Sequence, residues 1–439
     1  MSLPSQTTYL FISGKNWKLS LAELTSYFEA RNCTFKVTDF SRTFFTVKIE
    51  NPLNASTIDD LGGILKIGEI EAFLPTSLLE EAFLKENKQA KEKVQANFPL
   101  SDLADKIPGV SSGKSLFGVS VYWAAETTFN SAASTIQRFL GSKLKDELKA
   151  QGKKTRFMGF PRDRNQPQLT PVEVLKKGLV ETNAEILLCI GKNQTSISTT
   201  IAVHNPFEFQ KRDMEKPVQR KIFGISPRIA KIMVNLSQCR EGKVFLDPFC
   251  GVGSILLEAL LTKARVIGLD INRWCVEAAR RNLEWLTNEY SLKDTDYGVL
   301  QGDTRKLTSK IREEVDCIAT EPDLGPALRQ IPTAPYAEKI VDNLRSLFND
   351  FLREAYEVLR ENGFLVLVTP YVKTRSGKPV RMNIQEIALS AGFHPVKPYQ
   401  KPFFSENKPV LPLSEASSFI DVDERHKIGR EISILQKTA

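Results

Sequence analysis

The stretch from Val244 to Leu261, VFLDPFCGVGSILLEALL, constrains the fold of this chain more than any other, because it changes character twice within a few letters. Val244-Phe245-Leu246 is a short apolar run that predicts a buried strand, and Asp247-Pro248 stops it. Phe249 to Ser254 predicts a turn, with Gly251 and Gly253 where backbone must pass close to something and a serine suited to cap a helix. Ile255 to Leu261 is then the helix. A strand feeding a glycine turn and a helix is how open α/β sheets hold nucleotide-like ligands. Free N–H groups and the helix dipole face the crevice beyond the strand's C-terminal end.

A second acid narrows the ligand. Arg265-Val266-Ile267-Gly268-Leu269-Asp270 predicts a strand ending in a carboxylate about twenty residues later, the spacing at which an acid reaches a ribose hydroxyl pair. The glycine pattern is not a dinucleotide fingerprint, since Leu256 stands where a third glycine is required. A plain strand-turn-helix without a ligand is the alternative. Asp-Pro-x-Cys-Gly-x-Gly over Asp247 to Gly253, followed by a strand ending in Asp, resembles the S-adenosyl-L-methionine-binding motif of class I methyltransferases, particularly those that modify RNA bases.

At 439 residues and 49.4 kDa, the chain has room for two or three domains. Its 41% hydrophobic and 26% charged content is that of an ordinary globular protein. No apolar run is long enough for a membrane span, and MSLPSQTTYLFISG lacks the pattern of a secretory signal, so a cytoplasmic protein without membrane partners is expected. Six scattered cysteines without a CxxC pair, and only three histidines, argue against a zinc site or a disulfide framework, so no metal is expected. The net charge of +8 permits a polyanionic partner without demonstrating one.

Ahead of the glycine turn, Thr8 to Ile12 predicts a strand, and Leu19 to Ala30 a helix with Leu21, Leu24, Tyr27 and Phe28 on one side. Thr34 to Val37 and Phe44 to Ile49 alternate as strands, Ala55 to Leu65 reads as a helix, and Gly68 to Leu74 as a strand. This β-α-β-β-α-β order suggests a ferredoxin-like module over residues 1–75, with nothing catalytic in it. Leu78 to Lys106 is rich in lysine and glutamate and predicts one or two exposed helices with a solvated face. A strand over Ser115 to Trp123 and a helix over Asn130 to Lys149 follow. Lys153 to Arg164, KKTRFMGFPRDR, interleaves five cations with two aromatics. It is suited equally to a phosphate backbone with a stacked base and to a plain surface loop.

Ala184 to Cys189 and Thr195 to Val203 predict paired strands. With the preceding helix, the basic segment and the closing run Thr200 to Pro206, they resemble a THUMP domain, an RNA-binding module of tRNA-modifying enzymes, over residues 76–207. His204 by itself reads as a structural histidine. Lys211-Arg212-Asp213 and Pro227-x-Ile229-Ala230-x-x-Met233-x-Asn235-Leu236 closely resemble the connector of the archaeal and eukaryotic tRNA guanosine N2-methyltransferases acting at position 10. The connector then covers residues 208–226, and a Rossmann-like methyltransferase domain residues 227–439.

Within that domain, Trp274 to Leu286 predicts a helix and Val299-Leu300 a strand ending at Gly302-Asp303. Asp303 resembles the family acid lying against the adenine amino group, and reads equally as a turn former. Asp316 to Thr320 is a fourth strand, ending at Glu321-Pro322-Asp323-Leu324-Gly325, where the position-10 enzymes carry Asp-Pro-Pro-Tyr-Gly. The chemistry explains those residue types. An exocyclic amine conjugated into a base is a poor nucleophile, so a side-chain oxygen and a backbone carbonyl accept its hydrogens while an aromatic ring stacks on the base. Here Glu321 is one methylene longer than Asp, Asp323 replaces a proline and Leu324 replaces the ring. Tyr336 is a candidate for the missing stack and Arg329 for a phosphate contact. Asp342 to Leu359, Gly363 to Thr369, Ile384 to Ala391 and Gly429 to Leu435 supply helix, strand, helix and strand to complete a seven-stranded sheet, with Leu411 to Val422 as a loop or hairpin arm.

The expectation is thus an α/β protein, a class I methyltransferase domain preceded by a ferredoxin-like module and a THUMP domain, that uses S-adenosyl-L-methionine to methylate N2 of a tRNA guanosine. The resemblance implies Asp247, Gly251 and Gly253 at the methionine end of the cofactor, Asp270 at the ribose and Asp303 at the adenine. Glu321 and the Pro322 carbonyl orient the acceptor amine, with Asp323 as a second acceptor. A methyltransferase on another nucleic-acid amine, and a tRNA-binding protein with impaired catalysis, are the rivals; a small activating subunit is left open.

Overall fold

The computed structural model describes residues 6–109, 113–124, 127–159, 167–220, 224–405 and 418–438. The chain divides into two compact units, one of Met1–Leu21, Cys33–Pro206 and Pro402–Lys408, the other of Ala22–Asn32, Phe207–Lys401 and Pro409–Ala439.

An eight-stranded sheet carries the first unit. Its strands are β1 (Thr7–Ser13), β2 (Phe35–Phe40), β3 (Phe44–Ile49), β4 (Ile64–Pro75), β5 (Ser115–Trp123), β6 (Thr155–Met158), β7 (Glu185–Ile190) and β8 (Gln194–Val203), in the order β2-β3-β1-β4-β8-β7-β5-β6. The first four are antiparallel neighbours, with α1 (Trp17–Ala30) joining β1 to β2. The helix expected over Ala55 to Leu65 is only a 3-10 segment, Ala55–Asp60, opened by Asn54, whose side chain accepts the Ser56 amide at 3.0 Å. Gly62 and Gly63 end it, and β4 starts at Ile64.

The sheet does not stop at residue 75. β4 runs antiparallel to β8 from Lys66 opposite Val203 to Pro75 opposite Gln194, with register shifts at Ile67/Gly68 and Ile70/Ala72, so the ladder pairs strands from both sides of the expected boundary. A buried ion pair sits at this junction. Lys66 meets Glu185, whose carboxylate also accepts the Ser120 hydroxyl at 2.6 Å and the Thr200 hydroxyl at 2.9 Å; Lys66 donates further to the Leu169 carbonyl at 2.8 Å. Such saturation with partners is what makes a buried charge tolerable.

Between β4 and β5 come α2 (Thr76–Leu79), a π turn at Glu80–Leu84, α3 (Lys88–Asn97) and α4 (Leu100–Lys106). They are not solvated all round: Leu79, Phe83, Val94 and Leu103 join a core with Ile136, Leu140 and Leu144 of α5 (Ala133–Ala150). The abundance of charged letters concealed a narrow apolar stripe. The basic segment also departs from a loop. Thr155–Met158 is β6, parallel to β5, and its Phe157 ring lies 5.3 Å from that of Phe117. Phe157 is therefore half-buried, its ring packed against the core, while Phe160, Arg162 and Arg164 lie outside the described residues. The short helix α6 (Pro171–Lys176), opened by a Thr170–Glu173 capping box, leads toward β7.

The second unit begins with α7 (Pro206–Met214) and α8 (Pro227–Leu236). Its sheet takes β9 (Val244–Asp247), β10 (Arg265–Asp270), β11 (Tyr297–Gln301), β12 (Val315–Thr320), β13 (Leu359–Val372), β14 (Val380–Arg381), β15 (Phe393–Pro395), β16 (Ser418–Asp421) and β17 (Ile428–Lys437). Its helices are α9 (Ser254–Leu260), α10 (Arg273–Glu289), α11 (Ala334–Val358) and α12 (Ile384–Ser390). Seven strands follow the path β11-β10-β9-β12-β13-β17-β15, with β14 added on β13 and β16 on β17. From β11 to β13 neighbours are parallel; β17 enters antiparallel between β13 and β15. The order reverses between β9 and β12, which opens a crevice at the carboxyl ends of those two strands.

Helix α11 starts at Ala334 rather than at Asp342, since Pro335 suits a first helical turn. Tyr336 is accordingly on that turn, 48% exposed. Of the arm expected over Leu411 to Val422, Ser418–Asp421 is strand β16; residues 411–417 lie outside the described residues. No described helix is long and apolar enough to cross a membrane.

Candidate active site

β9 ends at Asp247, whose side chain is 1% exposed. Its Oδ1 accepts the Thr320 hydroxyl at 2.6 Å from the end of β12, and the Phe249 amide at 3.2 Å. Burial pushes this carboxyl up to about 7 against those two hydrogen bonds, and the nearby charges of Asp270 and Glu321 add to the rise. Three of the predicted acids therefore converge on the crevice where the strand order reverses.

The turn that follows has the shape its glycines suggested. Gly251 and Gly253 have φ of +51° and +86°, and a Cβ on Gly253 would stand 3.2 Å from the Ala279 Cβ of α10. The Gly251 amide donates to Asp270 Oδ2 at 2.9 Å, and Asp270 Oδ1 accepts the Asn272 amide at 2.8 Å. The third glycine of a dinucleotide fingerprint serves close helix–strand packing. In this chain the strand supplies it: a Cβ on Gly268 of β10 would fall 2.5 Å from Leu256 Cδ1. Immediately past Asp270, Ile271 and Trp274 are 64% and 54% exposed, large apolar surface beside a carboxylate that the sequence reading passed over.

Asp303 behaves locally. It accepts the Arg305 amide at 3.0 Å at the start of a 3-10 segment, Thr304–Ser309, and pairs with the Arg305 guanidinium at 2.6 Å, which holds its carboxyl below the usual range. Asp323 is likewise engaged by its own turn, Oδ1 accepting the Gly325 amide at 3.0 Å. Gly325 has φ +109° and leaves no room for a Cβ, which would lie 2.7 Å from Ile340 Cγ2 of α11. Pro322, just ahead of Asp323, is buried, and Leu324 is half-buried.

Glu321 leaves β12 toward β17 and forms a two-point ion pair with Arg430. Arg430 Nε donates to Oε2 and Nη2 to Oε1, the latter at 3.1 Å, with the side chains only 14% and 11% exposed for Arg430 and Glu321. Arg430 Nη2 also lies 3.3 Å from the Gly224 carbonyl. Nothing in the sequence linked residues so far apart.

The connector is wired into the same turn. Arg212 donates to Glu258 of α9 from Nε at 2.6 Å and Nη2 at 3.3 Å, and Lys231 of α8 reaches the same carboxylate at 3.2 Å, all three nearly fully buried. Lys216 donates to the Ser254 hydroxyl at 3.2 Å, and burial holds its ammonium below the usual lysine range. Buried Asn282 of α10 accepts the Val218 amide at 2.9 Å and donates to the Val218 and Val252 carbonyls at 2.8 Å each. Lys211-Arg212-Asp213 stood out in the sequence; Glu258, the partner of Arg212, and Asn282, which holds Val218, did not.

The second unit matches a protein-family model described as UPF0020, RMKL-like, methyltransferase domain, over residues 217–392. A tRNA (guanine(10)-N2)-dimethyltransferase of Methanothermobacter thermautotrophicus is 37% identical over 175 residues, 39% of this chain and 47% of that one. A probable tRNA (guanine(10)-N2)-dimethyltransferase of Methanothermococcus thermolithotrophicus is 32% identical over 145 residues, which are 32% of this chain and 79% of that sequence. The matched segments span about half the length of the first relatives, 47% and 52%. Among solved structures, TrmN from Thermus thermophilus shares the fold with a TM-score of 0.52 and 18% identity, over 98% of this chain and 99% of its own.

Proposed function

The chain belongs to the tRNA (guanine(10)-N2)-dimethyltransferase family, and on that premise we propose that it transfers methyl groups from S-adenosyl-L-methionine to the N2 amine of a tRNA guanosine. The observation that carries this reading is the convergence of Asp247, the Gly251–Asp270 hydrogen bond and Glu321 at one crevice. Residues 1–207 are read as the RNA-holding part, ferredoxin-like strands followed by a THUMP domain. The antiparallel order β2-β3-β1-β4 and the paired β7 and β8 support that reading.

The residues of the crevice fit the cofactor. The left-handed turn at Gly251 and Gly253 keeps side chains off the path of a bound methionine moiety, with Asp247 behind it. Asp270 spends one oxygen on each of two backbone amides and retains lone pairs for a ribose hydroxyl pair. Ile271 supplies apolar surface for a purine face, and Asp303 becomes an acceptor for its amino group where the half-exposed Arg305 gives way to it. S-adenosyl-L-methionine held there would supply an electrophilic methyl group on its sulfonium.

On the acceptor side, the Glu321 carboxylate and the Pro322 carbonyl take the hydrogens of the guanine amine and turn its lone pair toward the methyl carbon. The proton released from nitrogen passes to Glu321 and on to water. Leu324 supplies no aromatic stack, and the exposed ring of Tyr336 takes that role. Purified protein incubated with tritiated methyl donor and separated RNA pools, followed by nucleoside mass spectrometry, tests this directly. Label in N2-methylated guanosine of tRNA is the expected result. Label confined to ribosomal RNA or to adenine overturns it, and tight tRNA binding without transfer that Leu324→Tyr restores makes the protein a catalytically impaired binder.

A further inference from the structure

Glu321 is one methylene longer than the aspartate of related sites, and the structure gives that methylene a use: it carries the carboxylate to Arg430 on the antiparallel strand β17. We infer that Arg430 is a positioning residue for methyl transfer, holding Glu321 in the orientation that accepts the hydrogens of the substrate amine. This rests on the reading of Glu321 given above.

Three observations support the assignment. The pair is two-pointed, Nε to Oε2 and Nη2 to Oε1, so the plane of the carboxylate is fixed as well as its position. Both side chains are largely withdrawn from water, where such a contact is screened little. Arg430 takes one direction at each Glu321 oxygen, and a carboxylate offers about four acceptor sites, so lone pairs remain for an amine. A free glutamate at the end of β12 has three side-chain torsions before its oxygens, one more than an aspartate, and would sample several rotamers; the guanidinium selects one. Because Arg430 Nη2 also meets the Gly224 carbonyl, the same side chain joins the terminal strand, the Glu321 turn and the end of the connector.

Arg430 also supplies a cation to Glu321, one of the acids whose charges, after burial, add to the raised Asp247 carboxyl. The cationic methyl donor enters this same acidic crevice, so the geometry assigns Arg430 to the acceptor side, where it turns one acid into a fixed, locally neutralised acceptor and leaves Asp247 and Asp270 to face the donor.

The decisive measurement is a double-mutant cycle on single-turnover methyl transfer into tRNA, with Glu321→Gln, Arg430→Gln and the pair together. Glu321→Gln lowers the rate roughly 100-fold or more, and Arg430→Gln lowers it about 100-fold. Binding of S-adenosylhomocysteine, followed by calorimetry, changes less than about 3-fold in Arg430→Gln, because the cofactor half of the crevice is untouched. The double variant is no slower than Glu321→Gln alone, since Arg430 acts only through Glu321. Arg430→Lys, which keeps the charge but not the two-point contact, recovers part of the rate and serves as the readout if Arg430→Gln fails to fold. An inactive wild-type protein, or Glu321→Gln as fast as wild type, overturns the functional reading itself. With Glu321→Gln slow, full activity in Arg430→Gln, losses that multiply in the double variant, or an equal loss of S-adenosylhomocysteine binding overturns the role given to Arg430 alone.

Discussion

The amide of Gly251 and the carboxylate of Asp270 stand 2.9 Å apart, joining the turn after β9 to the end of β10. Asp270 thus shapes the turn from one side, and the proposed cofactor site assigns its remaining lone pairs to the ribose. Asp270→Ala removes both functions and weakens binding of S-adenosylhomocysteine about 10- to 100-fold. Asp270→Asn, with one acceptor oxygen, falls between. Titration calorimetry measures both, and unchanged affinity in Asp270→Ala removes the ribose role.

Asp247 makes stability depend on pH in a definite direction. Its folded carboxyl titrates at about 7, above the roughly 3.9 of an unfolded aspartate. The folded state therefore binds the proton more tightly, and the contribution of this group is fully present below about pH 4 and lost as pH rises through 7. Asp247→Asn removes the dependence. Relative to wild type, the variant gains on the order of 2–4 kcal/mol of stability in going from pH 4 to pH 8. Urea denaturation at several pH values checks it, and parallel pH curves for the two proteins contradict it.

Glu258 holds Arg212 and Lys231 together inside the second unit. Removing it leaves two buried cations without their shared anion. Glu258→Ala costs about 3–5 kcal/mol, and Glu258→Gln, which retains an acceptor oxygen, costs less. Chemical denaturation followed by tryptophan fluorescence reads the difference.

Gly253 and Gly242 share a left-handed backbone, with φ of +86° and +77°, but only Gly253 is crowded, by Ala279 at 3.2 Å. Gly242→Ala therefore costs the conformational penalty alone, about 1–2 kcal/mol. Gly253→Ala costs more and also weakens S-adenosylhomocysteine binding, because α10 must shift behind the turn. Equal losses for the two variants, in melting temperature and in affinity, contradict the packing account.

What could be read from the letters follows from the range over which each signal acts. The path from Val244 to Asp270 was legible because strand, glycine turn, helix and strand follow one another without interruption, and Pro227 marked the start of α8 in the same local way. Signals confined to charge misled: Leu78 to Lys106 looked solvated while Leu79, Phe83, Val94 and Leu103 pointed inward, and the aromatic of Lys153 to Met158 packed against Phe117. Contacts closing over large separations left no local trace. Arg430 reaches Glu321 across 109 positions and Asn282 reaches Val218 across 64. The glutamate at the end of β12 was the visible half of the first contact, but nothing near it named the other half.

The ladder between β4 and β8 bears on how the chain can be cut. A fragment beginning after Pro75 would bare the whole length of β8 as an open sheet margin, an invitation to self-association. It would also strip Glu185 of Lys66 and strand a carboxylate in a dry interior. The leading residues are therefore no detachable cassette: what evolution can shuffle or an experimenter excise here is the whole eight-stranded slab, or none of it.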